Sequence, residues 1–161
     1  TGSVDIILQT KLRQIRSEIS FIEILPSNNW FAVGDRNGEI YFFDLKDGTY
    51  LFKTSSEHEN IITSLAVSPS GDLLASGDRN GLISIWNLTD LQTYIRENKS
   101  TQYRPIRFNE NIAIKDLSFV NNEWIVVVAK DQSLQIDEVG KVLFLPIQFE
   151  LAGQELIKLT K

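Results

Sequence analysis

Gly34-Asp35-Arg36-Asn37-Gly38 recurs letter for letter as Gly77-Asp78-Arg79-Asn80-Gly81, 43 residues further along the chain. The register holds without a gap on either side. Ile19 falls on Ile62, Ile24 on Val67, Pro26-Ser27 on Pro69-Ser70, Ala32 on Ala75, Ile40 on Ile83 and Leu45 on Leu88. A repeat of this length marks a stacked or radial repeat architecture, in which each unit buries its apolar face only against its neighbours.

One period reads as strand, turn, strand, turn. Thr63 to Val67 alternates polar and apolar residues, as a half-buried strand does. Ser68-Pro69-Ser70-Gly71-Asp72 breaks pairing and turns the chain. Leu73 to Ser76 is a short apolar run, and Asn80-Gly81 after it predicts a type I′ hairpin. Leu82 to Trp86 resumes the alternation, and Leu91 to Arg96 is expected as a fourth, more polar strand. Four short strands in a period of this length make one blade of a β-propeller.

The second repeat resembles the WD-repeat β-propeller family. It reads Glu57-His58, then Ile62 to Gly71 with Ser68-Pro69-Ser70-Gly71, then Leu74-Ala75-Ser76-Gly77, Asn80-Gly81 and Ile83-Ser84-Ile85-Trp86-Asn87. The resemblance implies a buried hydrogen-bond chain of His58, Ser76, Asn80 and Trp86, with Asn80 standing where the family has Asp. It also implies a non-catalytic platform for proteins or peptides, bound through the propeller loops, often as a sensor or scaffold region of a larger multidomain signalling protein. The first repeat is more worn: Phe43-Asp44 stands at the Trp-Asp position, Val33 at that of Ser76 and Ile15 at that of His58. A third begins near Ile112, with strands expected at Ile114–Val120, Trp124–Ala129, Ser133–Ile136 and Lys141–Leu145. Its hairpin turn is Asp131-Gln132, and Asp137 replaces the Trp.

The expected fold is therefore all-β, with four-stranded antiparallel blades at about 18–53, 61–96 and 112–146. Residues 4–161 form one propeller region, with flanking strands at 4–10 and 147–159, and Thr1-Gly2-Ser3 reads as a cloning remnant. Three to four blades are few, since closed propellers have four to eight. An open arc exposes two apolar blade faces. A piece of a larger protein is favoured, and the absence of Met agrees; a ring shared with a second copy or a small closed ring of four blades are the alternatives.

A net charge of −5 argues against general nucleic-acid binding. The absence of Cys excludes a disulfide framework and Cys-based zinc sites, and suits a cytoplasmic location. No stretch reaches the roughly 18 apolar residues of a membrane helix. With one His, no Cys and no Gly-x-Ser-x-Gly, nucleophilic catalysis has no parts, so no enzyme activity, cofactor or metal is expected. Asp35-x-Asn37-Gly38 and Asp78-x-Asn80-Gly81 lack the further oxygen ligands of a calcium loop.

Two features remain for binding. Arg36 and Arg79 occupy the same corner of adjacent blades, where they could hold an anion or pair with the neighbouring blade's Asp35 or Asp78 in a ladder; the ladder is the reading preferred. The segment 96–110 adds about eight residues to the period. It is expected to join the last strand of the second blade to the first of the third. Its Lys99, Tyr103, Arg104 and Arg107 mix cations with an aromatic, the types enriched where proteins meet. The expected partner is a protein or peptide, the alternative a phosphopeptide or nucleic acid held by Arg36/Arg79 and Arg104/Arg107.

Overall fold

The alternating runs, punctuated by Pro and Gly, become three antiparallel sheets in the computed structural model, which describes residues 12–54, 58–97, 105–109, 112–130 and 140–146. The first blade is a four-strand meander of β1 (Ile19–Leu25), β2 (Trp30–Asp35), β3 (Ile40–Asp44) and β4 (Tyr50–Lys53). The second contains β5 (Ile62–Val67), β6 (Leu73–Asp78), β7 (Leu82–Asn87) and β8 (Ile106–Asn109), with helix α1 (Leu88–Arg96) between β7 and β8. The third pairs β9 (Ala113–Phe119), β10 (Trp124–Lys130) and β11 (Gly140–Pro146) in that order. The first strands β1, β5 and β9 lie side by side, and the described sheets form an arc rather than a closed ring.

Each residue of the repeated pentapeptide has a distinct task. Gly34 and Gly77 sit where the next blade closes in: a Cβ on them would lie 2.6 Å from Ile62 and 2.7 Å from Ile114, respectively. Asp35 Oδ1 accepts the Asn37 and Glu39 amides, and Asp78 Oδ1 accepts those of Asn80 and Leu82, at 2.8–3.0 Å. The turn then closes from the Gly38 amide to the Asp35 carbonyl, and from Gly81 to Asp78, at 3.3 Å. Only the glycines have positive φ, +83° and +96°, so the expected type I′ turn is replaced by a three-residue hairpin ending on a left-handed Gly. The Asp side chain dictates this outcome, because it holds Asn37 and Asn80 in a turn that leaves the left-handed position one residue later.

The blades pack face to face. Across the first seam, Leu25, Trp30, Ala32, Ile40 and Phe42 meet Ile62, Leu65, Leu74 and Trp86. Across the second, Leu73, Ala75, Ile83 and Ile85 meet Ile114, Leu117, Ile125 and Val127. Trp30, Leu73 and Trp124 each open the second strand of a blade. The first two are 6 % exposed because a following blade covers them, whereas Trp124 is 40 % exposed. Ile22 and Ile24, on the other outer face of the arc, are each 53 % exposed.

Leu91–Arg96 is helical, not the expected fourth strand. The Asn87 side chain caps the helix by accepting the Asp90 amide at 3.0 Å, with Asp90 in the first turn and Arg96 in the last, matching the helix dipole. Leu88, Leu91 and Ile95 fall on one helical face and cover the first seam, and Tyr94 stands edge-on to Phe52 with ring centroids 5.8 Å apart. The fourth strand is instead Ile106–Asn109, paired with β7, so the second blade extends to Asn109 rather than Arg96. The extra residues thus lie inside a blade, not between blades. In the third sheet the segment expected as the fourth strand, Lys141–Leu145, pairs directly with β10 and holds the third position. The strand expected at Ser133–Ile136, the Asp131-Gln132 turn, Asp137, residues 1–11 and residues 147–161 lie outside the described residues.

Candidate functional site

The residues with the chemistry of a catalytic triad come together in the second blade. His58 Nδ1 stands 3.0 Å from Asp78 Oδ2, and His58 Nε2 stands 2.7 Å from Ser76 Oγ. The Trp86 indole N–H also donates to Ser76 Oγ, at 3.0 Å. The two ring nitrogens of His58 thus bridge the Asp78 carboxylate and the Ser76 hydroxyl. All four side chains are at most 2 % exposed, so no substrate reaches the hydroxyl. This is a lock that ties the segment before β5 to the second and third strands of the blade, β6 and β7.

Asn80 is not a member of this chain. Its Oδ1 accepts from Asn60 Nδ2 at 2.9 Å on the surface, and Asp78, two residues earlier, supplies the carboxylate. Asp78 can do so because one oxygen serves the turn amides while the other faces the imidazole. The signal was present in the sequence, since an Asp opens both copies of the turn.

Arg36 and Arg79 do not form the expected inter-blade ladder. Arg36 Nε pairs with Glu18 Oε2 at 2.9 Å in its own blade, and Asp35 and Asp78 are committed to turn amides and His58. The two arginines hold equivalent backbone positions, with the Arg36 amide on the Glu18 carbonyl and the Arg79 amide on the Ile61 carbonyl. The residue opposite Arg79 is thus Ile61 instead of Glu18. The Arg79 guanidinium is exposed and has no ion pair or side-chain hydrogen bond among the described residues.

Arg79 borders an open cleft of about 430 Å³ shared by all three blades and lined by Ser20, Ile61, Ile62, Thr63, Ala113, Ile114 and Lys115. The first strand of each blade breaks register at this level, so that Ser20, Thr63 and Lys115 are the residues skipped in pairing with the second strand. A bulge re-aims the side chain of its extra residue. Ser20 Oγ bonds the Ile62 carbonyl at 2.6 Å, and Thr63 Oγ1 the Gly77 carbonyl at 3.2 Å. The third bulge presents Lys115, which is exposed and has no ion pair among the described residues. Ile61 and Lys115 were not singled out from sequence, because an irregular register leaves no mark on residue type.

Of the basic segment, Lys99, Tyr103 and Arg104 lie outside the described residues. Arg107 stands exposed on β8, paired in register with Ser84, at the outer edge of the second blade. A further polar cluster sits on the first blade. Glu39 accepts from Lys53 Nζ and the Tyr41 hydroxyl, both at 2.5 Å. Partial burial opposes the ionisation of Glu39, but these two donors outweigh it and hold the carboxyl below its ordinary range. Burial, and then the bond to Glu39, pushes the Tyr41 phenol above its own.

Among the described residues no group of three or more His, Asp or Glu side chains is placed to hold a metal ion. No helix among them is long and apolar enough to cross a membrane.

The described sheets have the fold of WD40-type β-propeller blades. Residues 48–87 match the WD domain, G-beta repeat, a stretch containing His58, Ser76, Asp78 and Trp86. Among solved structures, the chain is similar to the β-propeller domain of Myceliophteria thermophila Cps50 (Swd1), with 18 % identity and a TM-score of 0.57 over 82 % of this chain and 40 % of that one. It is likewise similar to the WD40 repeats of RRP9, with 18 % identity and a TM-score of 0.55 over 74 % of this chain and 37 % of that one. The chain thus spans 40 % or less of the length of these neighbours. No curated protein sequence matches it. WD40 propeller domains are in general non-catalytic scaffolds that bind proteins.

Proposed function

We propose that the chain is a non-catalytic protein-interaction region of a larger protein, binding a protein or peptide segment at the blade corner where the hairpin turns and the starts of the first strands gather. One observation carries the reading: the His58–Ser76–Asp78 constellation is sealed, while Arg79 and Lys115 have no ion pair among the described residues and border an open cleft between three blades. Exposed Ile22 and Ile24 on one outer face, and Trp124 on the other, support membership of a larger propeller, because the equivalent faces inside the arc are buried by neighbouring blades.

Photo-crosslinking tests this reading. A benzophenone amino acid is placed in cells either at Asn80, beside the cleft, or at Thr93 on the exposed side of α1. The reading expects a discrete protein adduct at Asn80 that is absent at Thr93. Equal diffuse labelling at both positions, or turnover of a small substrate that stops in a folded His58→Gln variant, would overturn it.

A further inference from the structure

We propose that the cleft between Arg79 and Lys115 is a subsite for a carboxylate side chain, taken from an Asp- or Glu-bearing peptide segment with an apolar neighbour. This deepens the protein-binding reading and rests on it. Three independent features converge. The first is a lost counter-ion: the repeat gives Arg36 the partner Glu18 at 2.9 Å, and gives Arg79 the aliphatic Ile61 at the same position. Any anion that satisfies this guanidinium must come from outside the described residues.

The second feature is the bulge. In all three blades the register slips at the start of the first strand and turns one residue into the cleft. Ser20 and Thr63 spend their hydroxyls on nearby carbonyls, whereas the third slip delivers an ammonium. Two cations without partners among the described residues thus border one cleft, in a chain whose net charge is −5. Like charges in one cleft repel, and an anion between them relieves both.

The third feature is the floor. Ile61, Ile62, Ala113 and Ile114 give the cleft an aliphatic lining that matches the methylene stem of an acidic residue and an apolar side chain next to it. A nucleic-acid backbone needs a track of cations rather than two over an apolar floor. Arg offers the carboxylate a fork of donors, and Lys a point charge.

The test is an amide NMR titration of the whole protein with a Leu-Glu-Leu-Glu peptide, its Leu-Gln-Leu-Gln counterpart and a version carrying phosphoserine for Glu. The Glu peptide is expected to shift the amides of residues 61–63, 79 and 113–115 saturably, and the Gln peptide to leave them in place. Arg79→Gln and Lys115→Gln, both surface changes that spare the fold, are each expected to weaken binding on the order of tenfold. No saturable shift at millimolar peptide, equal shifts with the Gln peptide, or binding unaffected by both substitutions would overturn the proposal. Binding only of the phosphoserine peptide would replace the carboxylate by a phosphate and overturn it as well. A crosslinked protein partner at Asn80 alongside a negative titration would sink the carboxylate subsite alone and leave the interaction reading standing.

Discussion

The first and second blades share a backbone plan and fill it with opposite chemistry. In the second, His58, Ser76 and Trp86 form a hydrogen-bonded lock closed by Asp78. In the first, Ile15, Val33 and Phe43 occupy the same repeat positions and pack as an apolar cluster with Tyr41 and Phe31. Asp35 is nevertheless retained. Its Oδ1 holds the turn as Asp78 does, but its Oδ2 is buried with no hydrogen-bond partner, because Ile15 offers no ring nitrogen. The pair teaches that the Asp has two separable tasks, turn and lock, and that a blade survives on the first alone.

The comparison breaks most visibly at the two carboxylates. Asp78→Asn keeps a turn acceptor and removes the charge facing His58. It is expected to lower the unfolding free energy by about 1.5–3 kcal/mol, the worth of a hydrogen bond to a charged group. Asp35→Asn keeps the Oδ1 acceptor for both turn amides and removes a charge whose other oxygen has no partner, so it is expected to cost under ~1 kcal/mol. Urea unfolding of the two variants side by side checks the difference, and equal losses would place the value of both residues in the turn.

A smaller effect sharpens the first blade's own polar cluster. The Glu39 carboxyl is held below its ordinary range by Lys53 and Tyr41, so the unfolded chain binds this proton more tightly than the folded one. Its contribution is present above the unfolded pKa and is lost as pH falls through the folded pKa. Glu39→Gln should therefore flatten the acid limb of a stability-against-pH curve while leaving its neutral region nearly parallel. An unchanged acid limb would show that the Lys53 and Tyr41 contacts do not distinguish the two protonation states.

Much of the fold was legible because repetition writes it twice. The 43-residue period, the Pro and Gly turns and the alternating strands located β1 to β7. The helix was missed because Leu88, Leu91 and Ile95 were read against the neighbouring repeat, which continues as strand, rather than by their own helical spacing and the Asn87 cap. Of the lock, His58, Ser76 and Trp86 were visible through the family resemblance. Asp78 was masked because the expected inter-blade ladder assigned it to an arginine of the neighbouring blade. The cleft was less legible still: the Glu18-to-Ile61 exchange matters only once the turn amides are seen to bond those two carbonyls, and the Lys115 bulge is a property of pairing, not of composition.

Exchange of the indole N–H protons with water, followed by NMR on the folded protein, addresses the lock itself. Trp86 donates to Ser76 Oγ and is 1 % exposed, whereas Trp124 is 40 % exposed. The account predicts a Trp86 indole proton that exchanges only through blade opening, orders of magnitude more slowly than that of Trp124, and that loses this protection in His58→Ala. Equally fast exchange of the two indoles in the unmodified protein would contradict a sealed His58–Ser76–Trp86 chain and return those residues to the list of groups that meet solvent.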